Sequence, residues 1–415
     1  MRIGREHRRM VPGDAAYEPV SVKEVLAEMK DTAELLIDLS YSAVLSGSNE
    51  IAREVLALED RVDLLQLQGR MSLLMAARST EDAEQLAPVL GVMGAAEKIS
   101  NAAGDIAKIV LDDIGTPDAL RTAIPEAAEA LVRATVAPDS EYVGRTLREI
   151  NMETEAGARV IAIRRASATG KRRWVLSPGA DDALQAGDSL LLRGPSGGIE
   201  SVYPAATGGP YDPPVPVDPP IDDLGRAVDS IILMKDMSEL AVDLAYGSVL
   251  FDSEGVAEEV RELEAEVDAL KSRFEAWTLR AAGRVEDPVR LRGLVHLASA
   301  TEVISDAALE ISEGVLRGID AHPVVAAAIE ESDEVIVRLS VADGTALAGT
   351  TLGDEAVKTQ TGMRVIAVRR GDAEWVVQPG STTELRGGDI IIAKGTRAGA
   401  ERLGELVGDE QRFEA

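Results

Sequence analysis

A stretch of 17 residues, Met29 to Leu45, returns 205 positions later with ten of them unchanged. Met29, Lys30, Asp31, Glu34, Leu35, Asp38, Leu39, Tyr41, Val44 and Leu45 recur as Met234, Lys235, Asp236, Glu239, Leu240, Asp243, Leu244, Tyr246, Val249 and Leu250. The same offset pairs Glu97 and Ser100 with Glu302 and Ser305, and Leu147, Gly157 and Arg159 with Leu352, Gly362 and Arg364. After a four-residue contraction, Trp174, Pro178, Gly179, Leu184, Gly187 and Asp188 match Trp375, Pro379, Gly380, Leu385, Gly388 and Asp389. The chain is two copies of one unit, so whatever one half folds into is built twice.

Within each unit the apolar period changes once. Val22, Leu26, Met29, Ala33 and Leu36 step at three and four, Ser21 and Glu24 form a capping box, and breaks at Gly47, at Ser79–Glu81 and around Pro88 divide the segment into three helices. After Pro117 short strand-like runs alternate with turns: A-L-V-R-A-T-V-A, then R-V-I-A-I-R-R, R-R-W-V-L-S-P-G and G-D-S-L-L-L-R-G, with V-G-R-T-L-R-E-I as a short helix. The expected fold class is therefore α+β multidomain. Two antiparallel three-helix bundles, residues 17–116 and 221–322, alternate with two small α+β domains, residues 127–203 and 332–408. A basic arm, 1–16, precedes them, and a proline-rich linker, 204–220, joins the halves. The bundles are expected to associate about a pseudo-twofold, and the α+β domains to pair within the chain or with a second one.

Composition narrows the function. Lys and Arg total 43 against 72 Asp and Glu, a net charge of −29, which repels phosphate backbones and argues against a nucleic-acid partner. Nine of the basic residues are Lys, and aromatic residues make up 3%. That balance is the one expected of a chain kept soluble at multimolar salt, in a salt-loving archaeal or bacterial cytoplasm. There are no cysteines, hence no disulfide or thiolate chemistry, and no apolar run approaches the length of a membrane span. His7, His296 and His322 are scattered, and neither a dinucleotide fingerprint nor a P-loop is present. No catalytic residue is expected.

Two sets of residues invite a ligand. Glu34/Asp38 and Glu239/Asp243 stand at i and i+4, and Glu97, Asn101 and Asp105 are matched in spacing by Glu302, Asp306 and Glu310. Each series lays oxygen ligands along one helical face, suited to a hard cation or a metal cluster; the alternative is a solvated acidic face. Arg164, Arg165 and Trp174, with Arg369, Arg370 and Trp375 in the copy, offer charge and stacking to an anionic nucleotide; the alternative is a core Trp beside solvated arginines.

These strings are familiar. V-G-R-T-L-R-E-I, the glycine before R-V-I-A-I-R-R, and L-Q-A-G-D-S-L-L-L-R-G resemble the TrkA C-terminal domain, also called RCK-C, although the second copy departs at A-L-A-G-T-T-L-G-D-E-A. The helical segments resemble PhoU domains. The resemblance implies RCK-C domains that dimerise and, in some relatives, bind a cyclic dinucleotide or a cation between subunits. It also implies metal clusters on E/D-x-x-x-D pairs, which Glu34/Asp38, Glu239/Asp243 and Glu302/Asp306 match and Glu97/Asn101 does not. The expected protein is a non-enzymatic cytoplasmic regulatory subunit, a homodimer in the family's manner, peripheral to the membrane through a partner. It senses a small ligand or cation, a divalent or monovalent ion or a cyclic dinucleotide, and gates a membrane channel or transporter for cations, potassium foremost. The alternative is a PhoU-type adaptor acting on phosphate uptake. The residues expected to take ligand are Arg165, Trp174, Arg370 and Trp375, and those expected to take metal are Glu34, Asp38, Asp105, Glu239, Asp243, Glu302, Asp306 and Glu310.

Overall fold

The computed structural model describes residues 21–76, 79–115, 130–166, 172–176, 178–194, 196–212, 221–319, 322–332, 334–371 and 375–409. The basic arm and the proline-rich centre of the linker fall outside them.

The first bundle is α1 (Val22–Ser46), α2 (Asn49–Ala76) and α3 (Thr80–Leu111). Ser21 caps α1 by accepting from the Glu24 amide, and Gly47, at φ 59°, closes it in the left-handed conformation that favours glycine. Leu26, Met29, Ala33 and Leu36 are all buried, as the stepping at three and four requires. Pro88 does not divide the third helix, which runs through it. The Pro88 ring lies over Gly314 of the opposite bundle, where a Cβ would stand 3.7 Å from it, so close packing offsets the missing backbone donor.

The first α+β domain follows: β1 (Ala130–Thr135), α4 (Leu147–Ile150), α5 (Met152–Ala156), β2 (Arg159–Ala166), β3 (Arg172–Leu176), β4 (Ser189–Gly194) and α6 (Ser196–Thr207). Its sheet is antiparallel in the order β1-β4-β2-β3. Because α6 carries on through Pro204 to Thr207, the connection to the second unit begins later than the sequence suggests. The second unit repeats the plan with α7 (Asp222–Leu250), α8 (Glu254–Ala282), α9 (Arg292–Leu316), α10 (Pro323–Glu330), β5 (Val335–Ser340), α11 (Val357–Thr361), β6 (Arg364–Arg370), β7 (Trp375–Val377), β8 (Asp389–Gly395) and α12 (Arg397–Val407). The sheet order β5-β8-β6-β7 is the same, and both sheets carry a bulge at the equivalent place, between Val160 and Ala162 and between Val365 and Ala367.

The bundles associate through α3 against α9, and one core runs through both. Tyr41 of α1 shares a 2.7 Å hydrogen bond with Thr301 of α9 across that core. The two α+β domains also pair within the chain: α5 packs on α11, Arg402 reaches Glu155 at 3.2 Å, and Arg159 reaches Glu334 at 3.0 Å.

Backbone closeness fixes each sheet against its own short helix. A Cβ on Gly194 would stand 2.7 Å from the Gly157 carbonyl oxygen, and one on Gly395 2.6 Å from that of Gly362. A backbone atom cannot move aside as a side-chain tip can, so Gly395→Ala is expected to destabilise the protein by about 2 kcal/mol. Denaturant titration of the full chain checks this. An unchanged midpoint would mean the approach is not tight in solution.

Candidate functional site

The acidic pairs on α1 and α7 do not point at water. They face the ends of β4 and β8, and cations from those strands enter between them. Arg193 on β4 donates to Asp38 at 2.7 Å and lies 3.7 Å from Glu239 on the opposite bundle. Its counterpart on β8, Lys394, lies 2.5 Å from Asp243, 3.3 Å from Glu34 on the opposite bundle and 3.1 Å from Glu334. Each strand cation thus holds an acid of its own unit and one of the other, which produces a pseudo-twofold clasp. Arg364 adds a second donor to Asp243.

Two more cations sit beneath. Lys30 bonds Ser332 at 2.6 Å, lies 3.0 Å from Glu34 and stands over the Tyr246 ring at 5.3 Å. Lys235 lies 2.7 Å from Glu239 and stands over the Tyr41 ring at 5.4 Å. Lys30, Lys235, Asp243 and Lys394 are exposed by only 2%, 4%, 3% and 7%, so these are buried charges that survive by pairing. Burial pulls the Lys394 ammonium down, but Asp243, Glu34 and Glu334 outweigh it and hold its pKa well above the ordinary lysine value. The same contest, with Glu239 and Asp236 as partners, raises Lys235.

The remaining expected ligands lie elsewhere. Asp105 pairs with Lys108 at 2.8 Å, Glu310 pairs with Lys98, and Glu302 takes Lys271 of α8 at 2.7 Å. Of these acids Glu302 faces α8, Glu310 reaches across to α3 of the other bundle, and Asp105 pairs along its own helix. The eight acids named from sequence do not form one cluster. A three-carboxylate group does form from Glu264 and Asp268 of α8 with Asp306 of α9, their oxygens within 4.8 Å of one another. Burial first, then Glu302 and Asp268, push the Asp306 carboxyl up, and burial and its acidic neighbours raise Glu264. Only Asp306 of the three was singled out in the sequence, although Glu264 and Asp268 also stand at i and i+4.

The ladder register separates the expected nucleotide clamps. In β2 and β3, Arg164 pairs with Trp174 and Arg165 with Arg173; in β6 and β7, Arg369 pairs with Trp375. Alternation puts Arg165 and Arg370 on the other face from the tryptophan positions. Arg369 stacks on Trp375 at 4.9 Å, and a Cβ on Gly255 of α8 would touch the Trp375 indole nitrogen at 3.4 Å. Arg165 forks onto Asp188 at 3.0 and 2.6 Å and reaches the Ala183 carbonyl, and Arg370 forks onto Asp389 at 2.8 and 2.7 Å. Burial opposes ionisation of Asp389, but the Arg370 fork and the Arg386 amide outweigh it and hold the carboxyl below its usual range. These arginines lock the turn that opens the last strand of each sheet. The Trp174 side chain lies outside what the structure describes.

The TrkA-C domain family matches residues 131–206 and 336–408, and the PhoU domain family matches residues 26–110 and 231–315. The chain is a tandem duplication of a PhoU domain joined to a TrkA-C domain. Both are regulatory domain families. In those terms the clasp ties each PhoU domain's first helix to the last strand of both TrkA-C domains.

Solved structures add only distant likenesses. The RCK_C domain dimer of S. agalactiae BusR in complex with c-di-AMP is 20% identical, over 19% of this chain and 96% of that one, with a TM-score of 0.18. S. agalactiae BusR in complex with its busAB-promotor DNA is 20% identical over 19% of this chain and 38% of that one, with a TM-score of 0.18. The GsuK RCK domain is 13% identical over 70% of this chain and 69% of that one, also at 0.18. At that score the likeness says nothing of how this chain's domains sit or what they bind. Among the described residues no helix is long and apolar enough to cross a membrane.

Proposed function

We propose that the protein is a non-enzymatic regulatory subunit whose TrkA-C pair senses a small ligand or cation and whose PhoU body conveys the result to a membrane cation channel or transporter, with potassium the ion. The observation that carries this reading is the buried clasp. Arg193 and Lys394 each hold acids from both PhoU helices, so the TrkA-C pair cannot change its arrangement without re-pairing charges in the body. A ligand signals only if it favours one arrangement over another, and a pair joined within one chain offers such a two-state element without a second subunit. The cleft between the TrkA-C domains is a gap of about 40 Å³ in which Arg159, Arg193, Arg364 and Lys394 already hold acids, so an anionic dinucleotide would enter only in an arrangement that opens it and re-pairs those cations.

Calorimetric titration with cyclic di-adenosine monophosphate, adenine nucleotides and potassium tests the sensing, and rubidium uptake in cells lacking the gene tests the output. The expected result is heat from one of these ligands and altered rubidium uptake. Unchanged rubidium uptake with altered phosphate uptake would instead favour a PhoU-type adaptor of phosphate transport. The carboxylates of Glu264, Asp268 and Asp306 are hard oxygen donors suited to a divalent cation, and we propose them as the place where one would bind.

A further inference from the structure

The two copies differ where α1 and α7 meet the α+β domains. In the first copy Leu35, Arg159 and Ile161 line, together with Asp31, Glu34, Asp38, Arg193 and Glu334 of the clasp, a polar gap of about 30 Å³. The equivalent Leu240, Arg364 and Ile366 line a cavity of about 570 Å³ in the second, within the range of small-ligand sites. The enlargement has a cause in sequence. Arg148, Asn151, Met152 and Glu153 of the first copy are replaced by Gly353, Ala356, Val357 and Lys358, all of which line the cavity. Three of these changes remove bulk or polarity and the fourth reverses a charge. The Gln378 side chain, donating to the Asp236 carbonyl at 3.2 Å, holds the loop that forms the far wall against α7.

We infer that this cavity binds a small anionic amphiphile, an aliphatic body ending in one carboxylate or phosphate. The described residues lining it are largely aliphatic, Leu240, Leu352, Val357 and Ile366 among them, and none of these described residues is aromatic, so a nucleobase finds nothing among them to stack on. The charged side chains lining it are Lys358 and Arg364, both cationic, in a chain of net charge −29. An anionic head therefore has a preferred end and the chain has an apolar one. The cavity lies between a PhoU helix and one TrkA-C domain and adjoins the cleft between the two TrkA-C domains, with Lys358 and Arg364 lining both. Binding here neither requires nor tests the transport reading, but Arg364 also holds Asp243, so an anionic head would compete for a clasp donor.

The test uses the full chain with octanoate, decanoate and dodecanoate as probes, read by calorimetry and by the Met363 methyl resonance. Met363 is fully buried directly behind the cavity wall, so its signal reports on rearrangement of that wall. Affinity should rise roughly fourfold per added methylene while the cavity fills, with a shift of the Met363 signal, and dodecyltrimethylammonium should bind at least tenfold more weakly. Val357→Met with Lys358→Glu restores residues that the first copy already accommodates, and should weaken dodecanoate at least tenfold. Lys358→Glu alone, at a partly exposed position, should weaken it in the same direction should the double variant fold poorly. Unchanged affinity in both variants would overturn the proposal. So would equal binding of the cationic amphiphile, tighter binding of adenosine monophosphate at Met363, or no Met363 shift with any carboxylate.

Discussion

Replacing Lys394 with Met is expected to cost about 3 to 5 kcal/mol of folding stability, the usual consequence of leaving a buried carboxylate without its partner. Lys394 is the meeting point of Asp243, Glu34 and Glu334, and the first of these is itself buried. Arg364 stays on Asp243 in the variant, so the loss falls mainly on Glu34 and on the third acid. An exposed pair such as Arg61 with Glu28 supplies the control, and Arg61→Met should cost less than about 1 kcal/mol. The pH dependence has a definite sign. The folded pKa of Lys394 is raised above the ordinary 10.5, so its contribution is fully present below that value and is lost as pH rises through the higher folded one. The gap between wild type and Lys394→Met should hold at neutral pH and close only in strongly alkaline solution. Guanidinium titrations at several pH values read both. A gap that closes on acidification instead would mean that a carboxylate, and not the ammonium, governs the clasp.

How much of this was legible follows from what each signal reports. The duplication, the three-helix bundles and the alternating α+β domains were legible because repeat offset and apolar period report burial directly. Helices α6, α10 and α12 were missed for local reasons. The first reads S-G-G-I-E-S-V-Y-P-A-A-T, with two glycines and a proline that argue against a helix until packing on β1 and β4 overrides them. The acids Glu34, Asp38, Glu239 and Asp243 stood out, but their partners did not, because Arg193 and Lys394 lie more than 150 residues from Asp38 and Asp243 on strands whose register no local pattern reveals. One signal was available. The chain has nine lysines, and three of them, Lys30, Lys235 and Lys394, are in the clasp, two at equivalent positions of the repeat. A scarce cation preserved in both copies inside an apolar stretch marks a buried ion pair. The tryptophan and arginine clamp failed on parity, since two neighbouring residues of one strand face opposite ways.

The divergence between the copies also predicts where a divalent cation acts. In the second copy Glu264, Asp268 and Asp306 bring three carboxylates together beside Glu302, with Lys271 and Lys98 opposing them. In the first copy the equivalent positions are Glu59, Asp63 and Asn101, and the position of Glu313 is taken by Lys108, which lies 4.0 Å from Glu59. The second copy gathers three carboxylates near Lys271 and Lys98, whereas the first gathers two beside Lys108. Magnesium or manganese at one hundred times its dissociation constant should then stabilise the wild type by about 2.7 kcal/mol, beyond an equal ionic strength of monovalent salt. Asp306→Asn should lose most of that increment and should be more stable than wild type when divalent ions are absent, because it removes a repulsion. Burial and acidic neighbours raise the folded pKa of Asp306 and Glu264, so the repulsion is present at neutral pH and is relieved as pH falls through those raised values. The advantage of Asp306→Asn without divalent ions should shrink on acidification accordingly. Asn101→Asp with Lys108→Glu should install a second increment in the first copy. Thermal melts with and without divalent ion decide it: an Asp306→Asn variant that keeps the whole increment removes this cluster as the metal site and returns attention to the acids of α1 and α7.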